Sequence, residues 1–430
     1  MQTYETLKSS LFTTLDTEHK LFWFHYLDWM QSLHETEGVL ADEGTSEWAR
    51  HRNERQQLIS KANAFYSSYY AMIKEELLSW LSESEKALLA EEPNSETNEV
   101  GSHNTQYLSR DWTKNPDYDQ VALIVNRITE RLTELGIRTA SRAFFPGCGS
   151  GRYAVELGER YDEVFACDYS FPMIWSILHL HEKRTWEIFH KNARNCRRVA
   201  DTLESHQLEM TEQQADLIER KIRFFVADAL KNGLENHTVD HLYSIYFTDV
   251  LPLRIWFQEV DRLLAENGLY IHFGPLEYFF SNENEMYTAE EVRMSFQAHG
   301  YTILADEFME TRHLYNAGSM VHRVYDNWLF IAQKPLRKLI TSDVQIQLHE
   351  DAEMNSTKEQ YTLVFHDRDF TLPSVIFDLL QVFRVPQTLG DALRLLELEN
   401  LDKESEIQLL AILQELADSN ILIISSYETI

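Results

Sequence analysis

The sequence predicts an α/β protein in three parts. A helical region covers residues 1–104, a doubly wound, mainly parallel sheet covers 105–338, and a small strand-and-helix module covers 339–430. Three observations predict this. Short apolar runs at 143–146, 163–168, 222–228, 239–246 and 269–274 alternate with amphipathic stretches of helical period, the pattern of a parallel sheet with crossover helices. Before them, apolar residues recur at spacings of three and four without any strand-like run. Beyond Pro335 the elements become shorter and more polar.

In the first region, Leu21-Phe-Trp-Phe-His-Tyr-Leu-Asp-Trp-Met and Phe65-Tyr-Ser-Ser-Tyr-Tyr-Ala-Met-Ile are dense in aromatics. An aromatic stripe at helical spacing reads as core before it reads as a ligand site. A polar break over 91–104 is expected to be a loop. Tyr107-Leu-Ser-Arg110-Asp111-Trp112 follows, then a helix over 119–135. Arg110 stands shortly before the first strand; its guanidinium can fork onto a ligand carboxylate or form a surface ion pair.

The first strand runs into Pro146-Gly147-Cys-Gly149-Ser-Gly151-Arg152, a glycine turn opening a helix. Glycines let the backbone bend sharply and approach a ligand with no Cβ in the way. About 20 residues on, Asp168 ends the second strand, where a carboxylate can accept ribose hydroxyls. The spacing is Gly-x-Gly-x-Gly, with Arg152 where a dinucleotide fold would more often place its third glycine. This reads as the S-adenosylmethionine (SAM) loop of a Rossmann-like class I methyltransferase, against the plainer reading of a glycine turn in another α/β enzyme.

The remaining strands extend that reading. A helix with proline in its first turn is expected from Phe171, and the stretch 182–221, with Lys183, Arg184, Lys191, Arg194, Arg197 and Arg198, is expected to be an exposed helical pair. The third strand ends at Asp228, which can accept the adenine amino hydrogen while the backbone amide of Ala229 meets the ring nitrogen. The fourth ends at Tyr246, assigned to the cofactor side, and exits through Phe247-Thr-Asp249. A helix is expected over 254–265, stopped by Glu266-Asn-Gly268, then a fifth strand into Gly274-Pro-Leu-Glu277-Tyr278. Later strands are expected near 301–304 and 328–332. Gly149, Asp168, Asp228 and Asp249 all fall at carboxyl ends of strands, where ligands of open α/β sheets bind.

In the C-terminal module, strands near 343–347 and 361–366, helices over 372–383, 389–396 and 405–419, and the run Ile421-Leu-Ile-Ile suggest a domain of roughly ninety residues. It loosely resembles winged-helix and peptide-clasping PqqD-like modules. It is acid-rich, whereas DNA reading wants a basic face.

The chain resembles the N2227-like family, whose known activity is carnosine N-methylation. The residues carrying the resemblance are Arg110-Asp-Trp112, Pro146 to Arg152, Asp168-Tyr-Ser-Phe-Pro-Met173, Phe247-Thr-Asp249 and Phe273-Gly-Pro-Leu-Glu-Tyr278, five short motifs in order across residues 105–335. The resemblance implies that Arg110, Gly149, Gly151, Arg152, Asp168 and Asp228 hold SAM, and Gly147 of the same turn is assigned to the cofactor beside them. It also implies that Asp249 grips the substrate's imidazole and that tyrosines near 325 line the acceptor pocket. Two positions depart from the family: Tyr107 stands where it has glutamine, and Phe279 where it has a substrate-contacting histidine, with Glu277 an added acid nearby.

Composition bounds the rest. Net charge is −30, which argues against a nonspecific nucleic-acid surface. Three scattered cysteines supply neither a disulfide framework nor a zinc site, and no metal is expected. The first residues show no signal-peptide pattern and no apolar run reaches about 18 residues, so a cytoplasmic protein without membrane contact is expected. The sequence thus leads to a SAM-dependent N-methyltransferase acting on an imidazole of a small molecule or peptide. Asp249 orients the acceptor, and Glu277, Tyr278 and Tyr325 shape its pocket; the plainer role for Asp249 is a helix N-cap. Alternatives are another acceptor docked by the C-terminal module, or a methyltransferase-like fold kept as a binding protein. The oligomeric state is not legible.

Overall fold

The computed structural model describes residues 15–36, 44–89, 104–114, 118–336, 340–341, 344–357, 360–365, 368–399, 401–419 and 421–425. The polar break expected over 91–104 falls outside these apart from Asn104, as does the boundary at 338/339. Backbone contacts divide the chain into two compact units, one of residues 1–292 and 303–333, the other of 293–302 and 334–430.

The first unit opens with α1 (Thr17–Thr36), α2 (Glu47–Trp80), α3 (Glu83–Leu88), α4 (Asn104–Trp112) and α5 (Gln120–Glu134). Serine caps start α2 and α3, and Asp119 caps α5 by accepting the Ala122 amide. The aromatic stripes are core: Trp23, Tyr26, Tyr66, Tyr69 and Tyr70 are all buried. Helix α2 is tied to the rest of the unit through polar atoms as well. Tyr69 shares a hydrogen bond with the Ser176 hydroxyl at 2.9 Å, and the Tyr66 hydroxyl accepts the Lys191 amide at 2.9 Å. The N-terminal helices therefore belong to the same compact unit as the sheet.

The sheet follows the expected alternation. Its elements are β1 (Ala140–Pro146), α6 (Arg152–Gly158), β2 (Tyr161–Asp168), α7 (Phe171–Lys183), β3 (Thr185–Lys191), β4 (Leu203–Glu209), α8 (Glu212–Lys221), β5 (Ile222–Val226), β6 (Val239–Ile245), α9 (Leu253–Leu263) and β7 (Leu264–Gly274). After α10 (Ala289–Ala298) come β8 (Thr302–His313) and β9 (Arg323–Gln333). Seven strands form one sheet in the order β5-β2-β1-β6-β7-β9-β8. The first five are parallel, and β9 runs antiparallel against β7. The order reverses at β1/β6, so the carboxyl ends of those strands open a crevice.

Three expectations are corrected. The stretch 182–221 is not a helical pair: β3 and β4 form an antiparallel hairpin, and only α8 is helical. Arg184, at a φ of 64°, ends α7. Trp186 and Ile188 then alternate with polar neighbours, a period of two that the surrounding charges obscure. The helix expected over 254–265 ends at Leu263, because Leu264 already pairs with Val239; Glu266-Asn-Gly268 is an irregularity within β7, with Asn267 at a φ of 60°. The later strands are also longer than their apolar cores suggest, and the added length brings His313, Arg323 and Tyr325 toward the crevice.

The second unit contains a three-stranded sheet of β10 (Gln345–Leu348) between β14 (Gln387–Thr388) and β15 (Leu422–Ser425). A meander of β11 (Glu353–Ser356), β12 (Tyr361–Phe365) and β13 (Arg368–Leu372) adds two strands that the sequence pattern does not announce. Helices α11 (Ser374–Val382), α12 (Leu389–Leu395) and α13 (Lys403–Asp418) complete it around Ile346, Leu363, Leu379, Phe383 and Leu413.

Replacing Tyr69 by Phe deletes one buried hydroxyl at the joint between α2 and α7. It should lower stability by about 1 kcal/mol, read from the urea midpoint with an unchanged slope.

Candidate active site

The crevice at the carboxyl ends of β1, β2, β5 and β6 is an open cavity of about 1070 Å³. It brings together Arg110, Gly147, Gly149, Asp168, Asp228, Ala229, Tyr246, Asp249, Glu277 and Tyr325. Gly151, Arg152 and Tyr278 are not on its wall.

The glycine turn gains its shape from close packing. Gly147 has a φ of 57°, and a Cβ there would lie 2.2 Å from the Phe247 ring. Gly151, at a φ of 73°, would place a Cβ 2.7 Å from Phe224 and 2.8 Å from Ile177, so its contribution is to helix–sheet packing. Arg152 turns away to pair with Glu156 at 2.7 Å, its guanidinium 4.8 Å from the Trp112 ring. Asp168 holds the turn from the next strand, one oxygen accepting the Gly149 amide and the other the Ser170 amide, both at 2.8 Å. Burial raises the pKa of Asp168, and those two amides pull it back. Asp228 accepts the Leu230 amide at 2.9 Å, and Ala229 behind it is buried.

Arg110 is set by its neighbour in sequence. Its side chain is 10% exposed and that of Asp111 is 1% exposed; Nε and Nη2 meet the two carboxylate oxygens at 2.5 and 2.8 Å. Asp111 also accepts the Ser150 hydroxyl, and Trp112 Nε1 donates to the Ser150 carbonyl at 2.9 Å. Burial, the largest influence, lowers the guanidinium pKa, but the charge and hydrogen bonds of Asp111 together with the nearby Tyr153 and Tyr246 hydroxyls raise it on balance, so Arg110 stays charged. Around it stand the rings of Tyr107, Tyr246 and Tyr153, 5.1, 5.7 and 6.0 Å from the guanidinium carbon. Tyr246 sits at a φ of 55°, uncommon for a bulky residue, with its amide donating to the Phe273 carbonyl at 2.8 Å. Gln106, one helical turn before Arg110, lines the same wall, so a glutamine faces the cavity from a position adjacent to Tyr107.

Asp249 occupies the other half. It is 2% exposed; Oδ2 accepts the Glu277 amide at 2.9 Å, while Oδ1 is buried without a hydrogen-bond partner among the described residues. Its carboxylate therefore caps no helix: α9 begins after Pro252 with no side-chain cap. Burial, partly offset by the Glu277 amide, pushes its pKa up to about 6. A polar network that the sequence did not reveal fixes this loop. Thr248 Oγ1 lies 2.8 Å from Ser244 Oγ, 2.7 Å from the Tyr270 hydroxyl and 2.7 Å from His272 Nδ1. Burial lowers the His272 pKa to about 4, so the ring is neutral. Its Nε2 faces the Gly274 carbonyl at 3.2 Å and must be the donor, which leaves Nδ1 to accept from Thr248.

The rim is formed by Glu277, Tyr325, Arg323 and Phe279. Tyr325 donates to Glu277 Oε2 at 2.5 Å, and Arg323 Nη1 donates to the same hydroxyl at 3.4 Å. Phe279 is 74% exposed. Tyr278 donates instead to the Tyr287 carbonyl at 2.6 Å, which orients it away from the rim. His313 was not foreseen. It is buried against Tyr325 with ring centroids 4.7 Å apart, and its Nδ1 has no partner among the described residues. Burial and the charges of Arg110 and Arg323 hold it neutral, its pKa lowered to about 3. Among the described residues no cluster of His, Cys, Asp or Glu is arranged to hold a metal, and no helix is long and apolar enough to cross a membrane.

The raised pKa of Asp249 makes a stability prediction. Unfolded, the group ionises near 3.8; folded, near 6. The native state therefore bears a buried charge above about pH 6 and none below about 4. Asp249→Asn keeps the acceptor oxygen for the Glu277 amide and should stabilise the protein by about 3 kcal/mol at pH 7.5, with most of the gain gone by pH 4 in thermal melts.

The model of the carnosine N-methyltransferase family matches residues 90–336, more than half of the chain. Among solved structures, magnesium protoporphyrin IX methyltransferase from Synechocystis PCC 6803 with bound S-adenosylhomocysteine is 12% identical; the match covers 55% of this chain and 95% of that one, with a TM-score of 0.36. Precorrin-6y C5,15-methyltransferase from Geobacter metallireducens GS-15 is 11% identical, with 53% and 96% covered and a TM-score of 0.32. No curated protein sequence matches the chain. The chain belongs to the carnosine N-methyltransferase family and is a SAM-dependent methyltransferase with a Rossmann-like class I fold.

Proposed function

We propose that the enzyme methylates a ring nitrogen of an imidazole-bearing small molecule or peptide, with Asp249 as the group that orients the ring. The observation carrying this is the buried, unpartnered Oδ1 of Asp249, a residue that lines the cavity. A buried acceptor atom without a partner lacks a donor, and an imidazole N–H would supply one.

The cofactor half fits SAM on structural grounds. Gly147 and Gly149 line the cavity, a Cβ at Gly147 would strike the Phe247 ring that lines it too, and the acids ending β2 and β5 face the same cavity. Asp168 would take the ribose hydroxyls on its remaining lone pairs, and Asp228 with the Ala229 amide would take the adenine edge. Arg110, charged but half occupied by Asp111, would offer its remaining N–H groups to the methionine carboxylate. When bound, SAM supplies an electrophilic methyl group on a sulfonium.

The chain's own residues then do three things. Asp249 accepts the N–H of one ring nitrogen, which fixes the tautomer and turns the lone pair of the other toward the methyl group. The cavity would hold the acceptor beside the cofactor, so that the ring nitrogen would gain the methyl group and the thioether would leave as the C–S bond breaks. Positive charge grows on the ring as it gains the methyl, and the Asp249 carboxylate stabilises it and can take the N–H proton. A carboxyl near 6 is suited to that exchange close to neutral pH. His272, Thr248 and Tyr270 hold the loop, and His313 stays neutral and adds no charge against the forming imidazolium.

With labelled SAM and a panel of imidazole acceptors, Asp249→Asn should leave SAM affinity within about twofold and lower kcat/KM by about 10²–10⁴. Unchanged turnover would end the orienting role. With an acceptor whose ring titrates well below pH 5, wild-type kcat/KM should fall as pH drops through about 6, because protonating Asp249 removes the acceptor atom; a flat profile there counts against the assignment.

A further inference from the structure

The rim carries two opposite charges that the reaction above does not use. Glu277 and Arg323 both line the cavity and both contact the Tyr325 hydroxyl, at 2.5 and 3.4 Å. Neither forms an ion pair with the other, nor with any third side chain among the described residues. Arg110, the other arginine on the wall, is neutralised by Asp111; Arg323 is not. The two contacts to one hydroxyl set the Glu277–Arg323 gap at no more than about 6 Å, close enough to grip one small ligand by charge-assisted hydrogen bonds. Glu277 also donates its amide to Asp249, so the charged pair is anchored directly beside the ring-orienting carboxylate.

We propose that Glu277, Tyr325 and Arg323 form a clamp for the ammonium and carboxylate of a single amino-acid head group, so that the acceptor is a free amino acid carrying an imidazole. This rests on the imidazole reading of Asp249. The two charges of an amino-acid head share one carbon and lie roughly 3 Å apart by standard bond lengths, so the head can bridge a carboxylate and a guanidinium no more than about 6 Å apart by passing over the Tyr325 hydroxyl between them. The charges of a dipeptide are separated by an added residue of up to about 3.6 Å, and an internal histidine of a protein has neither. Arg323 presents a planar fork suited to a carboxylate, and Tyr325 keeps it from collapsing onto Glu277. Both charged residues are exposed at the mouth, so the head group enters last and the ring lies inward against Asp249.

The test uses the full chain and four acceptors: L-histidine, histamine (no carboxylate), 3-(imidazol-4-yl)propionate (no ammonium) and carnosine (charges spaced apart). Wild-type kcat/KM for L-histidine should exceed each of the others at least tenfold. Glu277→Gln should abolish the preference over the deaminated analogue and Arg323→Gln the preference over histamine. Both variants should keep wild-type affinity for S-adenosylhomocysteine by calorimetry. Equal turnover of all four acceptors, or carnosine preferred over L-histidine, overturns the clamp and leaves the imidazole reading standing. So does Arg323→Gln weakening S-adenosylhomocysteine, which would place the guanidinium on the cofactor. Methylation of none of the four overturns the imidazole reading and the clamp together.

Discussion

The site depends on one buried ion pair, Arg110–Asp111. Two charges taken out of water are tolerated only when each is paired and hydrogen-bonded, and here the pairing is bidentate. Asp111 spends its remaining capacity on the Ser150 hydroxyl, and Trp112 adds a bond to the Ser150 carbonyl. Helix α4 is thereby stapled to the glycine turn. That staple aims the Arg110 guanidinium at the cavity between three tyrosine rings and fixes the backbone of the turn that Asp168 grips from the other side. Loss of Asp111 would leave a cation unpaired at the point where cofactor wall and helix meet.

The acceptor half is built by a different device. No ion pair fixes Asp249; a buried network of Thr248, Ser244, Tyr270 and His272 fixes its loop, and the Glu277 amide fixes one of its oxygens. The result is a carboxylate held in a desolvated place with one oxygen unused, a state that costs stability and is useful only when a donor arrives. Two histidines of this half are neutral: His272 in the Thr248 network and His313 on the cavity wall are both held well below their ordinary pKa. Among the described residues lining the cavity, the charges in this half are Asp249, Glu277 and Arg323, and those in the half proposed for the cofactor are Arg110, Asp168 and Asp228.

The inserted hairpin and the long last strands show how local pattern and tertiary need diverge. Trp186 and Ile188 alternate as a strand should, yet the density of charge around them resembles a helical surface. The apolar cores of β8 and β9 mark only their middles. Their polar ends, carrying His313, Arg323 and Tyr325, persist as strand because pairing in the sheet satisfies the backbone regardless of side-chain polarity.

What the sequence by itself determined is the parallel sheet, the glycine turn and the acids that end its strands. Those signals are local: a strand period, a Gly-x-Gly-x-Gly spacing and an aspartate at a strand's carboxyl end each follow from backbone geometry within a few residues. Only the tertiary structure decided which neighbours complete the site. Arg152 and Tyr278 stand in the right motifs but turn to Glu156 and to the Tyr287 carbonyl. Gln106, His313 and Arg323 stand in no foreseen role and face the cavity. The difference is physical. The direction of a side chain and the emptiness of an oxygen such as Asp249 Oδ1 depend on packing between strands far apart in the chain, which no local period encodes.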